Sequence, residues 1–179
     1  MQYIPEDFLL DVFLFLIPFY FIFLVDRITI ISQVFRSQGL IKKPFWEILK
    51  QTVIIFFLLF CLSYALGLFS YLFGVSDLEL VGEEILKISP ILIIYLFVIR
   101  VFMEEWFFRG FLTPRIGAIF SSALFAVGHF AYGSWVEVLG AFILGLFLAK
   151  MYEKTGNLWP NVFAHTLYNF VIYLFMIAL

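Results

Sequence analysis

The chain has 179 residues, 64% hydrophobic and 22% aromatic, with 13% charged residues, a net charge of -2 and one cysteine. A soluble domain is typically about half apolar and a quarter charged, so the composition belongs to the membrane class and argues against a soluble globular fold. No basic arm or glycine-rich phosphate loop suggests a nucleic-acid partner, and Cys61, in an apolar run, supports neither a disulfide framework nor a cysteine-based metal site.

A membrane span needs about 20 mainly apolar residues. The sequence predicts about six helical segments, near 8–25, 51–73, 89–109, 117–131, 135–152 and 159–178, and hence an all-α, polytopic membrane helix bundle. Residues 1–88 supply two N-terminal transmembrane helices with their loops, and 89–179 the core, together one integrated membrane domain. Glu6 and Asp7 stand where a signal peptide carries Lys or Arg, and no small-residue cleavage pattern follows, so the first segment is read as a retained span. Pro18 falls inside that span and is expected to kink it.

The connection 26–50 carries Arg27, Arg36, Lys42, Lys43 and Lys50, whereas 74–88 carries Asp77, Glu79, Glu83 and Glu84 against Lys87. Arg109 and Arg115 flank the third connection, and Lys150 and Lys154 the fifth. The positive-inside rule then makes the odd connections cytoplasmic and puts both termini of a multi-pass cell-membrane protein on the outer side.

The third segment contains Arg100, Glu104, Glu105 and Arg109. Ionised carboxylates at membrane depth are costly, by roughly 3 kcal/mol each, and usually mark a working site. Residues four apart share a helix face, so Glu105 and Arg109 are expected to clamp the helix end. Glu104 points about 100° away and is left as the free carboxylate, with Arg100 as an alternative ion-pair partner.

Phe125 and His129 stand one turn apart on the fourth segment, with Ser121 and Ser122 a turn earlier. At 1.5 Å per residue, His129 sits about 18 Å into a segment too short for a hydrocarbon core of about 30 Å. A short or tilted fourth helix is therefore predicted, entered by an interfacial turn at 110–118 containing Pro114 and Gly117. Its apex, 132–135, would lie below the outer surface, surrounded by protein, and Glu137 just past it is either another polar group of the cavity or, the preferred reading, an interfacial residue. Gly140, Gly145 and Ala149 on the fifth segment suggest close helix packing. Asn161, His165 and Asn169 make a polar stripe along the sixth.

This set suits amide hydrolysis. A carboxylate or imidazole in an apolar pocket can serve as general base on a water. Asn169 and His165 can donate hydrogen bonds to a developing oxyanion, worth on the order of 3 kcal/mol. No nucleophile elbow is present. The competing chemistry is a single divalent metal, zinc, held by Glu104, His129 and His165, although no H-E-x-x-H helix occurs. The reading without a cofactor is preferred.

The run EEWFFRG at 104–110 resembles the E-E-x-x-x-R motif of the CAAX prenyl protease 2 (Rce1-like) and bacteriocin-processing (CPBP, Abi) family of intramembrane endopeptidases. Phe125 to His129 resembles its F-x-x-x-H, His165 to Asn169 its H-x-x-x-N, and 156–160 the entry to its last catalytic helix. The resemblance covers roughly residues 90–178. It implies that Glu104 and His129 activate water, that His165 and Asn169 bind or polarise the scissile carbonyl, and that Glu105, Arg109 and Phe125 give structural support. Eukaryotic members remove a C-terminal tripeptide from prenylated proteins, whereas bacterial members are linked to bacteriocin immunity, peptide-signal maturation or membrane regulators. A membrane-associated peptide or protein substrate, lipidated or not, is the implied partner beside the lipid bilayer. The alternative is a non-catalytic immunity or partner-binding protein of the same fold. A transporter is disfavoured, because no inverted repeat is visible.

Overall fold

The computed structural model describes residues 4–178, with side chains from 8 onward apart from Tyr132. Glu6 and Asp7, which bear on the reading of the first span, lie outside the described side chains. The described chain is helical, without strands: α1 (Ile4–Leu24), α2 (Ile31–Ser37), α3 (Phe45–Leu72), α4 (Glu79–Leu86), α5 (Pro90–Tyr95), α6 (Val101–Glu104), α7 (Thr113–Gly128), α8 (Trp135–Thr155) and α9 (Leu158–Ala178). Two π-helical stretches, Leu96–Arg100 and Glu105–Leu112, join α5, α6 and α7 into one run. A 3-10 turn, His129–Tyr132, leads toward α8.

Among the described residues, α3, α8 and α9 are long and apolar enough to cross a membrane by themselves, and α4 with the run from Pro90 adds a fourth span at most, bent by 113°. Phe8–Leu24 of α1 is a shorter apolar helix beside them, so an all-α membrane bundle fits, with three to four spans meeting the length criterion among the described residues where the sequence predicts about six. The fourth predicted segment is short, as its depth required: Gly117 takes φ 82°, ψ 160° and breaks α7, so the continuous stretch begins after it. The 3.6-residue turn cannot continue through a positive φ, and glycine alone adopts it without a Cβ clash. Pro18 lies inside α1.

Exposed aromatic and branched side chains such as Phe57, Tyr64, Ile91, Phe120 and Phe175 cover the outside of the bundle. That pattern fits helices solvated by lipid. Cys61 is exposed among them.

The inward faces divide into clusters. Trp106, fully buried, packs against Phe15 and Phe19 of α1 and Phe35 of α2, with ring centroids 5.3–5.8 Å apart. Ile55 and Leu59 of α3 meet Leu148 of α8 and Ala164 of α9. Phe125 and Ala126 of α7 meet Ala141 of α8.

The connection 26–50, read as a loop, contributes an element of the core. Gln38 and Gly39 follow α2 and wedge between the third span and α8. A Cβ on Gly110 would stand 3.0 Å from the Gln38 carbonyl oxygen, and one on Gly39 (φ 80°) 2.6 Å from the Tyr152 ring. Leu158 N–H donates to the Gly39 carbonyl, 2.8 Å away, and so ties the start of α9 to the wedge. Of the small residues on α8, Gly145 is the close-packed one, with its missing Cβ 3.0 Å from Phe125 Cδ1. Nothing stands within 4 Å of the same position at Gly140, so that glycine leaves open space instead of a helix contact.

Candidate active site

The π-helical stretch Glu105–Leu112 sets the site. Widening a helix to the i→i+5 pattern frees backbone groups and is common at functional positions. The Phe108 carbonyl accepts from the hydroxyls of Thr113 (2.8 Å) and Ser121 (2.6 Å). Ser121, expected among the polar groups of the fourth segment, thus serves the backbone of the third.

Glu105 and Arg109 are both buried, with Arg109 Nη1 3.0 Å from Glu105 Oε1. The guanidinium lies 4.2 Å above the Phe125 ring and points toward the Gly145 carbonyl. Arg109 was counted among the loop charges that orient the chain, but burial takes it out of any loop. The helical run continues past it to Leu112, so the end of this span lies beyond residue 109.

Glu105 is more than one half of a clamp. His165 Nδ1 lies 2.9 Å from Glu105 Oε1, and Asn161 Nδ2 lies 3.4 Å from Oε2 while donating to the Leu148 carbonyl at 2.8 Å. With Arg109 on the same oxygen, the carboxylate accepts and His165 donates. The hydrogen therefore sits on Nδ1, and Nε2 is the nitrogen left for the cavity. Asn161 had been seen only as part of a polar stripe; its buried amide joins α8, α9 and Glu105.

His129 is fixed in a similar way. Its Nδ1 donates to the Phe125 carbonyl at 2.9 Å, and its ring lies 4.4 Å from the Phe125 ring. Phe125 thereby touches Arg109, His129 and His165, whose ring centroid is 6.3 Å away.

Arg100, the alternative partner for Glu104, turns to α1: its Nε lies 2.6 Å from Asp11 Oδ1, and Tyr95 donates to Asp11 Oδ2 at 2.5 Å. Asp11 carried no distinguishing signal in the sequence beyond being an acid in an apolar run. Glu104 has no hydrogen-bond or ion-pair partner among the described residues.

Glu104, His129, His165 and Asn169 all line one cavity of about 260 Å³, half-buried except for His165, which is buried. Apolar side chains of α3, α5, α8 and α9 form most of its wall, including Leu59, Leu66, Leu92, Leu144 and Ile172. Tyr168 and Ser63 close one side through a 2.6 Å hydroxyl contact. Glu137 takes the second of its two expected places and lines this cavity rather than the interface, in the first turn of α8 that Ser134 caps. Leu78, Ile85 and Ile88, around α4, cover another side.

At the apex Ser134 is buried, but Gly133 and Trp135 are exposed, so protein does not surround this turn as expected. Gly133 (φ 73°) reverses the chain and buried Ser134 begins α8. Asp77, reaching over from the α3–α4 connection, accepts from the Ser134 hydroxyl at 2.5 Å and the backbone N–H groups of Trp135 (2.7 Å) and Val136 (3.2 Å). A carboxylate at a helix N-terminus satisfies otherwise orphaned donors and complements the helix dipole.

No three His, Cys, Asp or Glu side chains among the described residues stand close enough together to hold a metal ion. Glu104, His129 and His165 therefore share a cavity without forming the three-ligand set considered for zinc, which needs donors converging to about 2.0–2.2 Å from one point.

Residues 86–171 match the sequence model of the Rce1-like family, described as type II CAAX prenyl endopeptidase Rce1-like. The match contains all three motifs and their cavity residues. The chain is also 40% identical over 74 residues to the uncharacterized protein YpbD of Bacillus subtilis (strain 168), a stretch covering 41% of this chain and 39% of that protein. No solved structure matches.

Proposed function

We propose, from an Rce1-like segment that carries its whole polar set on one cavity, that the protein is an intramembrane endopeptidase. The observation that carries this reading is the convergence of Glu104, His129, His165 and Asn169, from three separate stretches of helix, on one mostly apolar cavity. The substrate is a membrane-associated peptide or protein, lipidated or not. The basic residues of 26–50 together with Arg115, Lys150 and Lys154 support cleavage near the cytoplasmic side and both termini outside, even without Arg109.

Glu104 and His129 activate the attacking water. The water's proton passes to this pair as its oxygen bonds to the carbonyl carbon, and then to the amine nitrogen as the C–N bond breaks. Asn169 donates to the carbonyl and its oxyanion, joined by His165 Nε2–H when that ring carries both protons. Glu105 accepts from His165 Nδ1–H and so fixes the orientation of the ring. Glu105, Arg109 and Phe125 hold the helices in register, and no step requires a metal.

The alternative is an immunity or partner-binding protein that keeps the cluster for stability. Glu104, with no hydrogen-bond or ion-pair partner among the described residues, favours the enzyme, since a purely structural carboxylate at membrane depth would be paired, as Glu105 is. Comparing membrane peptides in cells carrying wild type or Glu104→Gln tests this. The enzyme reading expects an uncleaved precursor to accumulate only with the variant, and identical peptide pools contradict it.

A further inference from the structure

The cavity is wider at one end than helix packing requires. Ile55 and Leu59 of α3 meet Leu148 of α8, so at that level side chains fill the space between the two helices. From there α3 runs on to Gly67 and α8 runs back to Gly140, each about two turns, or about 12 Å, away. Both lead to the same end of the bundle, because Asp77, in the connection after α3, holds Ser134, Trp135 and Val136 at the start of α8. Gly67 and Gly140 both line the cavity, and a Cβ on either would meet nothing within 4 Å.

The fold has no need of these two glycines. Glycine is less favourable than alanine inside a helix unless the backbone or a close neighbour demands it. Gly110 and Gly145 meet such a demand, since their missing Cβ atoms leave room for Gln38 and Phe125. Gly67 and Gly140 lie in helix interiors with neither a positive φ nor a close neighbour. They leave open space in the cavity that carries the reacting groups.

That space adjoins the reacting groups on two sides. Ala141, next to Gly140, packs with Phe125, whose ring lies 4.4 Å from that of His129 and 6.3 Å from that of His165. Ser63, one turn before Gly67, shares a hydroxyl hydrogen bond with Tyr168, the neighbour of Asn169. Leu66, Val136 and Leu144, each within about one turn of a glycine, line the cavity with them, as does Leu78 beside Asp77.

We propose that Gly67 and Gly140 are specificity-determining residues: they open an apolar subsite beside the reacting groups that takes a large apolar side chain, such as leucine or phenylalanine, from a residue flanking the scissile bond. The inference rests on the endopeptidase reading above and adds to it what the cleaved sequence contains. A large apolar side chain leaves water for an apolar wall, whereas alanine leaves the space unfilled and a charged group is desolvated there. Glu137, one turn before Gly140, also lines the cavity, which makes a basic side chain the competing occupant.

Cut sites are first identified in cells carrying wild type or Glu104→Gln, as sequences cleaved only with wild type. Internally quenched, membrane-anchored peptides copying one such site then carry leucine, phenylalanine, alanine or lysine at each flanking position in turn, and are assayed with the full chain in proteoliposomes. One methylene in an apolar pocket is worth about 10–200-fold in specificity, so wild type is expected to prefer leucine or phenylalanine over alanine about tenfold or more in kcat/KM at one of the two positions. Gly140→Leu and Gly67→Leu, which fill the space, are expected to cut that preference about tenfold, and Gly140→Ala and Gly67→Ala to cut it partly. Without peptide, both alanine variants should unfold at or above the wild-type Tm. Equal kcat/KM for the leucine, phenylalanine and alanine peptides, a preference for lysine, a preference unchanged in all four variants, or alanine variants that unfold well below wild type each overturn the proposal while the endopeptidase stands. If no sequence is cleaved only with wild type, the endopeptidase reading itself fails, and the role of the two glycines fails with it.

Discussion

His165 donates Nδ1–H to Glu105 Oε1 at 2.9 Å, the same oxygen that Arg109 Nη1 approaches to 3.0 Å. One carboxylate thus orients an imidazole and neutralises a buried cation. The adjacent Glu104 lines the cavity without a hydrogen-bond or ion-pair partner among the described residues. The neighbouring glutamates differ because adjacent helical residues point about 100° apart, and the π-helical stretch begins at Glu105.

Substitution should separate their roles. Glu105→Gln leaves the buried Arg109 cation uncompensated, a change that typically costs about 3–5 kcal/mol. Its thermal unfolding in detergent is expected to fall far below wild type, while Glu104→Gln unfolds close to wild type. Equal Tm values for the two variants would contradict the division.

Two glycines on α8 should respond in opposite ways. Gly145→Ala places a Cβ 3.0 Å from Phe125 Cδ1 and 3.3 Å from Arg109 Nη2. Overpacking of this kind typically costs about 1–3 kcal/mol. Gly140→Ala meets nothing within 4 Å. Alanine has the higher helix propensity, so stability should hold or rise slightly. Tm measurements on both variants check the ordering.

The Asp77 contact should weaken in acid. Burial pushes the Asp77 carboxyl slightly up, but the Ser134 hydroxyl and the Trp135 and Val136 amides outweigh it and hold the group below the ordinary carboxylate value. A group depressed in this way adds stability above its unfolded value and loses that contribution as pH falls through its native value. Hydrogen exchange at Trp135 and Val136 is therefore expected to speed up, beyond the intrinsic pH effect, as pH drops from about 5 to about 3. Asp77→Asn should show fast exchange already at neutral pH, with little further change.

Much of this arrangement was legible in the sequence for simple physical reasons. Long apolar runs mark helices, and the four-residue spacing of Glu105 and Arg109 predicts their contact. The depth conflict at His129 predicted a shortened helix, and Gly117 provides the break. What stayed hidden depends on backbone departures and long-range pairing. A π-helical stretch has no residue signature, so neither the freed Phe108 carbonyl nor its Ser121 partner could be foreseen. Asp11 reaches Arg100 across 89 positions, and periodicity says nothing about such partners. Gln38 and Gly39 look like loop residues until Gly110 and Tyr152 are seen to leave room for them. Glu137 looked interfacial because the direction of the first turn of α8 is set by Ser134 and Asp77, not by local hydropathy.

The central claim is that Glu104 activates water for peptide hydrolysis. Its most direct test is the single-turnover cleavage rate of a quenched, membrane-anchored peptide by the purified chain in proteoliposomes, comparing wild type with Glu104→Gln at equal Tm. Loss of a general base typically lowers the rate about 10²–10⁴-fold, and a loss of that size is the expected result. Cleavage by Glu104→Gln at the wild-type rate would contradict it.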